Sequence, residues 1–226
     1  QAIKIANEHR YIYATAGISP NDIPTFENEN TDVKEFFFEE VLNEQLKEIK
    51  KLAKNEKVVA IGEIGLDYYW NKENKQNQKS AFIIKIANEL ELPIVIHTRE
   101  AISDTIDILK NQITVVNKGI FHCCPLNLDL IREGLKLGFY ISFAGPITFK
   151  NSKNATEAIS LVPLDRILVE TDSPYLAPEP KRGTRNDSSN LIYTLQKIAD
   201  VKQMSMEEVA KITYENTKNI LKINTN

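Results

Sequence analysis

Short runs of β-branched and aromatic residues alternate along the chain with longer stretches whose apolar positions recur at helical spacing. The runs are 11–18 (YIYATAGI), 57–63 (KVVAIGE), 92–97 (LPIVIH), 118–122 (KGIFH), 138–143 (GFYISF) and 166–171 (RILVET). They are nearly continuously apolar rather than alternating, as strands covered on both faces must be, so the pattern predicts buried parallel strands. Helical patterns fall between consecutive runs, at about 33–54, 77–91, 101–111, 127–136 and 153–161, with Ile102, Ile106 and Leu109 on one face of the third. The opening QAIKIANEH reads as an amphipathic helix, and 71–79 as loop and helix entry. In the tail, Leu191, Leu195 and Ile198 share a helical face, and Ser205 with Glu208 has the spacing of a capping box ahead of Val209 and Ile212. Strand–helix alternation predicts β/α units on a parallel sheet. No linker or low-complexity segment divides the chain, which argues for a single domain over 1–226.

Six strand runs suit an open doubly wound sheet, whereas a closed TIM-type (β/α)8 barrel needs eight. The polar residues tip the choice toward the barrel. Glu63, His97, His122 and Asp172 each stand at the carboxyl end of a different run. In a barrel those ends converge on one rim, where side chains from distant sequence can meet around a ligand. An open sheet gathers only the tips beside its switch point. The fold expected is therefore an α/β barrel.

The same four residues carry the candidate chemistry. Only three histidines exist, so two of them at strand ends are informative. Acidic residues are rarely buried unless paired or bound to a cation. Imidazole with carboxylate suits Zn²⁺ or Mn²⁺, and carboxylate alone leans to Mg²⁺. Histidines at strand ends also occur for packing, and these four are not clustered in sequence, so spacing alone leaves both readings open. Arg99 follows His97 by two residues, which keeps both on one side of a strand. Its planar donors suit a phosphate oxygen, with an ion pair to Glu100 as the alternative. Tyr68, Tyr69 and Trp70 could stack on a base or cap the rim, and Tyr68 is assigned to packing. Asp67 is assigned to anchoring the loop after Glu63, and Glu170 shares a strand face with Asp172.

Charge and cysteine narrow the classes further. A net charge of −3 excludes a broad cationic face that wraps duplex DNA, while leaving room for a small site that handles one strand end. The two cysteines, Cys123 and Cys124, are adjacent and make a poor structural staple, which fits a reducing, cytoplasmic setting. Cys123 is expected to pack as a small apolar residue. No run of about 18 apolar residues is present to span a bilayer, and no membrane or obligate protein partner is expected.

The segments GEIGLDYY, IHTRE, FHC, YISFAGPITFKN and VETDSPYLAPEPKRGTRN together resemble the TatD family of metal-dependent deoxyribonucleases, and the resemblance covers nearly the whole chain. It implies an amidohydrolase-like barrel, two divalent metal ions (Mg, Mn or Zn), and metal ligation by Glu63, His97, His122 and Asp172. It also implies catalytic roles for Asp172, Glu63 and Arg99, with Arg99, Lys150, Arg185 and Asn186 binding substrate. The implied activity is hydrolysis of DNA phosphodiester bonds, as an exonuclease with 3′-end preference on single-stranded or frayed ends. Hydrolysis of a small ester, amide or lactone, or ligand binding by a non-catalytic barrel, are the alternatives. Members of the family begin with a strand bearing a His-x-His pair, absent from this sequence. The resemblance thus implies that the first two barrel strands lie outside it, which would bring six strands to eight. Two segments depart from the family pattern: Ser19-Pro20-Asn21-Asp22 where histidines are usual, and Cys123-Cys124-Pro125-Leu126 where a glycine-bearing turn is usual.

Overall fold

The computed structural model of the protein describes residues 1–23, 31–70, 72–81, 84–111 and 116–223. The chain forms two compact units, Gln1–Asn117 and Lys118–Asn226. Among the described residues, no helix is long and apolar enough to cross a membrane.

In the first unit, helix α1 (Ala2–Glu8) leads to strand β1 (Ala14–Ala16), helix α2 (Thr31–Leu52) and strand β2 (Val58–Asp67). Helices α3 (Lys75–Ser80) and α4 (Ile84–Glu89), strand β3 (Ile94–Arg99) and helix α5 (Ile102–Asn111) follow. The three strands pair in parallel and in chain order. The apolar runs supply the core, and Ile61, Ile64, Leu66, Ile94 and Ile96 are fully enclosed. Each such side chain contributes roughly 1.5–3 kcal/mol on burial.

Two helical stretches differ from the sequence pattern, and the second difference has a local cause. The stretch 77–91, expected as one helix, holds α3 and α4, with residues 82 and 83 between them outside the described residues. In α5 the buried residues are Thr105, Ile108 and Leu109, whereas Ile102 and Ile106 are only half-buried. Thr105 Oγ1 lies 2.9 Å from Thr98 Oγ1 of β3, both buried, so the helix turns its hydroxyl inward to satisfy that of the strand.

The second unit repeats the strand–helix order. It contains β4 (Gly119–Phe121), α6 (Leu128–Lys136), β5 (Tyr140–Phe143), α7 (Ala155–Leu161) and β6 (Ile167–Val169), then α8 (Leu191–Lys202) and α9 (Met206–Leu221). Strands β4, β5 and β6 are parallel neighbours. Phe121, Phe139, Ile141 and Phe143 fill the core, with Ile131 of α6 beside them in the buried set. The Asn127 side chain accepts the Leu130 N–H and so caps α6. Ser205 and Glu208 form the expected capping box at the start of α9. Further along α9, buried Asn216 donates to the carbonyls of Leu164 and Ile167 at 2.8 and 2.9 Å, which fastens the helix to the entry of β6.

Candidate metal sites

Glu63 lies inside β2 rather than at its end, because the strand continues to Asp67. The β2–β3 register shifts between Ile61 and Ile64, around Glu63. A local irregularity of this kind re-aims a side chain that regular pleating would send elsewhere. Beyond the shift, Gly65 pairs with His97 of β3. A Cβ at Gly65 would fall 1.9 Å from the His97 carbonyl oxygen, and its φ of +143° is one that side chains rarely adopt. Glycine here lets the two strands close up at the histidine.

His97 has a carboxylate on each side. Its Nδ1 is 3.8 Å from Glu63 Oε2, and its Nε2 is 3.0 Å from Asp67 Oδ2. Asp67 is buried, and its Oδ1 accepts the N–H groups of Tyr69 and Trp70 at 2.9 and 3.0 Å, so it anchors the loop that leaves β2. Burial works to raise the Asp67 pKa. The bonds from Trp70, His97 and Tyr69 outweigh it and hold the carboxyl below the ordinary aspartate value.

That loop carries the three aromatic residues. Tyr68 turns inward, and its hydroxyl donates to Asp104 at 2.6 Å, with Lys79 pairing with the same carboxylate at 2.9 Å. Burial, then Asp104, push the Tyr68 phenol pKa up. Tyr69 and Trp70 are exposed. The Arg99 guanidinium stands 4.0 Å over the Tyr69 ring and 5.5 Å from that of Trp70. Arg99 is thus held on an aromatic surface, and no ion pair to Glu100 occurs among the described contacts.

In the second unit His122 directly follows β4, and it too is flanked by carboxylates. Nδ1 lies 2.8 Å from Glu170 Oε1, and Nε2 lies 3.3 Å from Asp172 Oδ1. Ligand atoms of the three residues fall within 4.8 Å of one another. Although Glu170 Oε1 is buried and close to the imidazole, it has no hydrogen-bond partner, so proximity there comes without hydrogen-bond alignment. A buried carboxylate oxygen left in that state is what a cation would satisfy. Metal bonds of about 2.0–2.2 Å place two ligand atoms on one ion roughly 3–3.5 Å apart. The His122–Asp172 separation fits that range, and the His97–Glu63 separation exceeds it by a few tenths of an ångström. The donor sets therefore suit a divalent cation in each group.

The loop bearing Asp172 is tightly braced. Asp172 adopts φ +60°, a left-handed conformation that aspartate tolerates better than most residues. Gly145 lets the chain pass closely, since a Cβ there would meet the Leu176 carbonyl oxygen at 2.1 Å. Asn186, read from sequence as a substrate contact, is buried. Its Nδ2 donates to the carbonyls of Thr171 and Tyr175, both at 2.7 Å, while Oδ1 accepts from the Asp187 N–H and Asn190 Nδ2. Its amide nitrogen and oxygen both serve to hold this loop. Lys150 and Arg185 are exposed. Cys124, rather than Cys123, is the buried cysteine, and burial pushes its thiol pKa up, leaving it protonated and inert.

Sequence reasoning gave Glu170 no metal role and Asp67 only the loop. The Glu-x-Asp spacing of VETD was the available signal for Glu170. No pattern in the sequence announces that Asp67 reaches an imidazole.

Parallel β/α architecture with imidazole–carboxylate groups fits a metal-dependent hydrolase. The chain belongs to the TatD-related DNase family, which it matches over residues 1–222. It is 43% identical over 226 residues to the uncharacterized metal-dependent hydrolase YabD of Bacillus subtilis, covering 99% of this chain and 83% of YabD. In solved structures it is similar to the TatD homolog YjjV of Escherichia coli, with a TM-score of 0.83 at 24% identity, over 99% of this chain and 82% of that one. A TatD-family hydrolase from Entamoeba histolytica gives a TM-score of 0.76 at 25% identity, over 97% and 79%.

Proposed function

We propose that this hydrolase cleaves phosphodiester bonds in DNA, as a metal-dependent exonuclease with 3′-end preference acting on single-stranded or frayed ends in the cytoplasm. The observation that carries the hydrolytic reading is the pair of imidazole–carboxylate groups, Glu63 with His97 and His122 with Asp172. The strands are read as members of a closed (β/α)8 barrel, in keeping with the fold likeness to YjjV.

Two divalent ions, Mg, Mn or Zn, would be held by these groups, with Glu170 as an additional donor beside His122. Such ions lower the pKa of water and neutralise charge on a phosphoryl oxygen. The chain's own residues do the positioning. The Asp172 carboxylate orients the attacking water and accepts its proton. Arg99, already aligned on Tyr69, presents its donors to substrate phosphate, as do the exposed Lys150 and Arg185. Support for a strand end over a small molecule comes from Tyr69 and Trp70, whose exposed rings beside a cation can stack on any base.

The same donor sets would serve hydrolysis of a small ester, amide or lactone. End-labelled single-stranded and duplex DNA, incubated with purified protein beside ester and lactone substrates, separates the readings. Progressive shortening of the labelled strand is expected. Robust ester or lactone hydrolysis with both DNAs intact would replace the nuclease reading with the small-molecule one.

A further inference from the structure

Of the two carboxylates at His97, only one is placed to bind a metal. Asp67 is 1% exposed, and its backbone and carboxylate groups are all engaged in hydrogen bonds. Its Oδ1 accepts two backbone N–H groups, its own N–H donates to Gln78 Oε1 at 2.8 Å, and its carbonyl accepts from Gln78 Nε2 at 3.0 Å. Gln78 is itself fully buried. The remaining oxygen, Oδ2, meets His97 Nε2 at 3.0 Å. A carboxylate fixed in this way only accepts, so the ring nitrogen facing it must donate.

We infer that Asp67 is a positioning residue that holds His97 in the Nε2–H tautomer, with the Nδ1 lone pair directed to the Glu63 side for the metal. The inference rests on the reading of His97 as a metal ligand and specifies which of its nitrogens binds. A neutral imidazole has one N–H and one lone pair, so a group that takes the hydrogen at one nitrogen selects the other for coordination. Gln78, reaching in from α3, pins the Asp67 main chain from which the carboxylate projects. The Gly65 approach to His97 fixes the ring's backbone, and the loop amides fix the carboxylate. The tautomer is thus set by β2, β3 and α3 before any metal arrives.

Asp67→Asn tests this at nearly constant volume. The amide oxygen can still accept the Tyr69 and Trp70 N–H groups, which turns Nδ2 toward His97 and makes Nε2 an acceptor. The proton then moves to Nδ1, where it blocks the lone pair. Protein labelled with ¹⁵N in its histidine rings is stripped of metal and brought to alkaline pH, where the rings are neutral. Long-range ¹H–¹⁵N spectra then report which ring nitrogen carries the hydrogen. With only three histidines, His97→Gln assigns the signal. The wild-type ring is expected as Nε2–H and the variant as Nδ1–H. Calorimetric affinity for Mn²⁺ is expected to fall about 10–100-fold in the variant.

An Nδ1–H wild-type ring, or unchanged Mn²⁺ affinity in a folded Asp67→Asn protein, overturns the inference. The wild-type spectrum decides alone if the variant does not fold. Absence of Mn²⁺ binding to wild-type protein would instead count against the proposed metal site, leaving the spectrum to judge the tautomer.

Discussion

Gln78 holds Asp67 through both ends of its amide, accepting the Asp67 N–H at 2.8 Å and donating to the Asp67 carbonyl at 3.0 Å. This single side chain ties α3 to the end of β2, the point from which Asp67 reaches His97. Gln78→Leu keeps similar bulk but strands two buried backbone groups. At about 1–3 kcal/mol for each, the expected loss is roughly 2–6 kcal/mol. Urea denaturation measures it. Unchanged stability would mean that water or another side chain takes over the clamp.

Arg99 is stacked on Tyr69 while its donors remain exposed. Arg99→Ala is expected to lower kcat/KM on labelled DNA by about 10–100-fold, the equivalent of losing a charged hydrogen bond worth about 1.5–3 kcal/mol. Stability should change by no more than about 1 kcal/mol, the size of an exposed cation–π contact. Arg99→Lys should recover only part of the activity, because lysine lacks the planar fork. Steady-state kinetics beside denaturation distinguishes this from a folding defect.

The capping box of α9 gives a pH test. The Ser205 backbone N–H, then its hydroxyl, bond the Glu208 carboxylate and hold its pKa below the ordinary value. A depressed folded pKa means that the stabilisation is complete above the unfolded value, roughly 4.3, and is lost as pH falls through the folded one. Wild-type protein should therefore exceed Glu208→Gln in unfolding midpoint at neutral pH, and the gap should close in acid below that range. Ser205→Ala should cost about 1 kcal/mol at neutral pH. A gap that persists or widens in acid would contradict the assignment.

The strand–helix order was legible because buried parallel strands are continuously apolar, and each of the six runs overlaps an observed strand. The capping box was legible because it is a contact within one helical turn. What sequence concealed depends on pairing across elements. Glu63 closed the run 57–63 in sequence, yet Gly65 continues β2 by allowing close contact with β3. The rotation of α5 follows from one hydroxyl pair, Thr98 with Thr105, that hydrophobic periodicity cannot register. Asn186 entered the sequence reading as a substrate contact implied by resemblance, and only the folded loop reveals four partners for its amide. Glu170 gained its place beside His122 from the folding of the second unit, and the Glu-x-Asp spacing of VETD was its one local signal.

The central claim is that His97 and His122, each with its carboxylates, bind divalent metal. Calorimetric titration of metal-stripped protein with Zn²⁺ and Mn²⁺ tests it directly, in wild type and in a His97→Ala/His122→Ala variant. Both rings are largely enclosed yet lie outside the fully buried core, so the variant should keep most of its unfolding midpoint. Saturable binding in wild type, strongly weakened in the folded variant, is the expected result. Equal binding by the two proteins, or none by wild type, would contradict the metal sites.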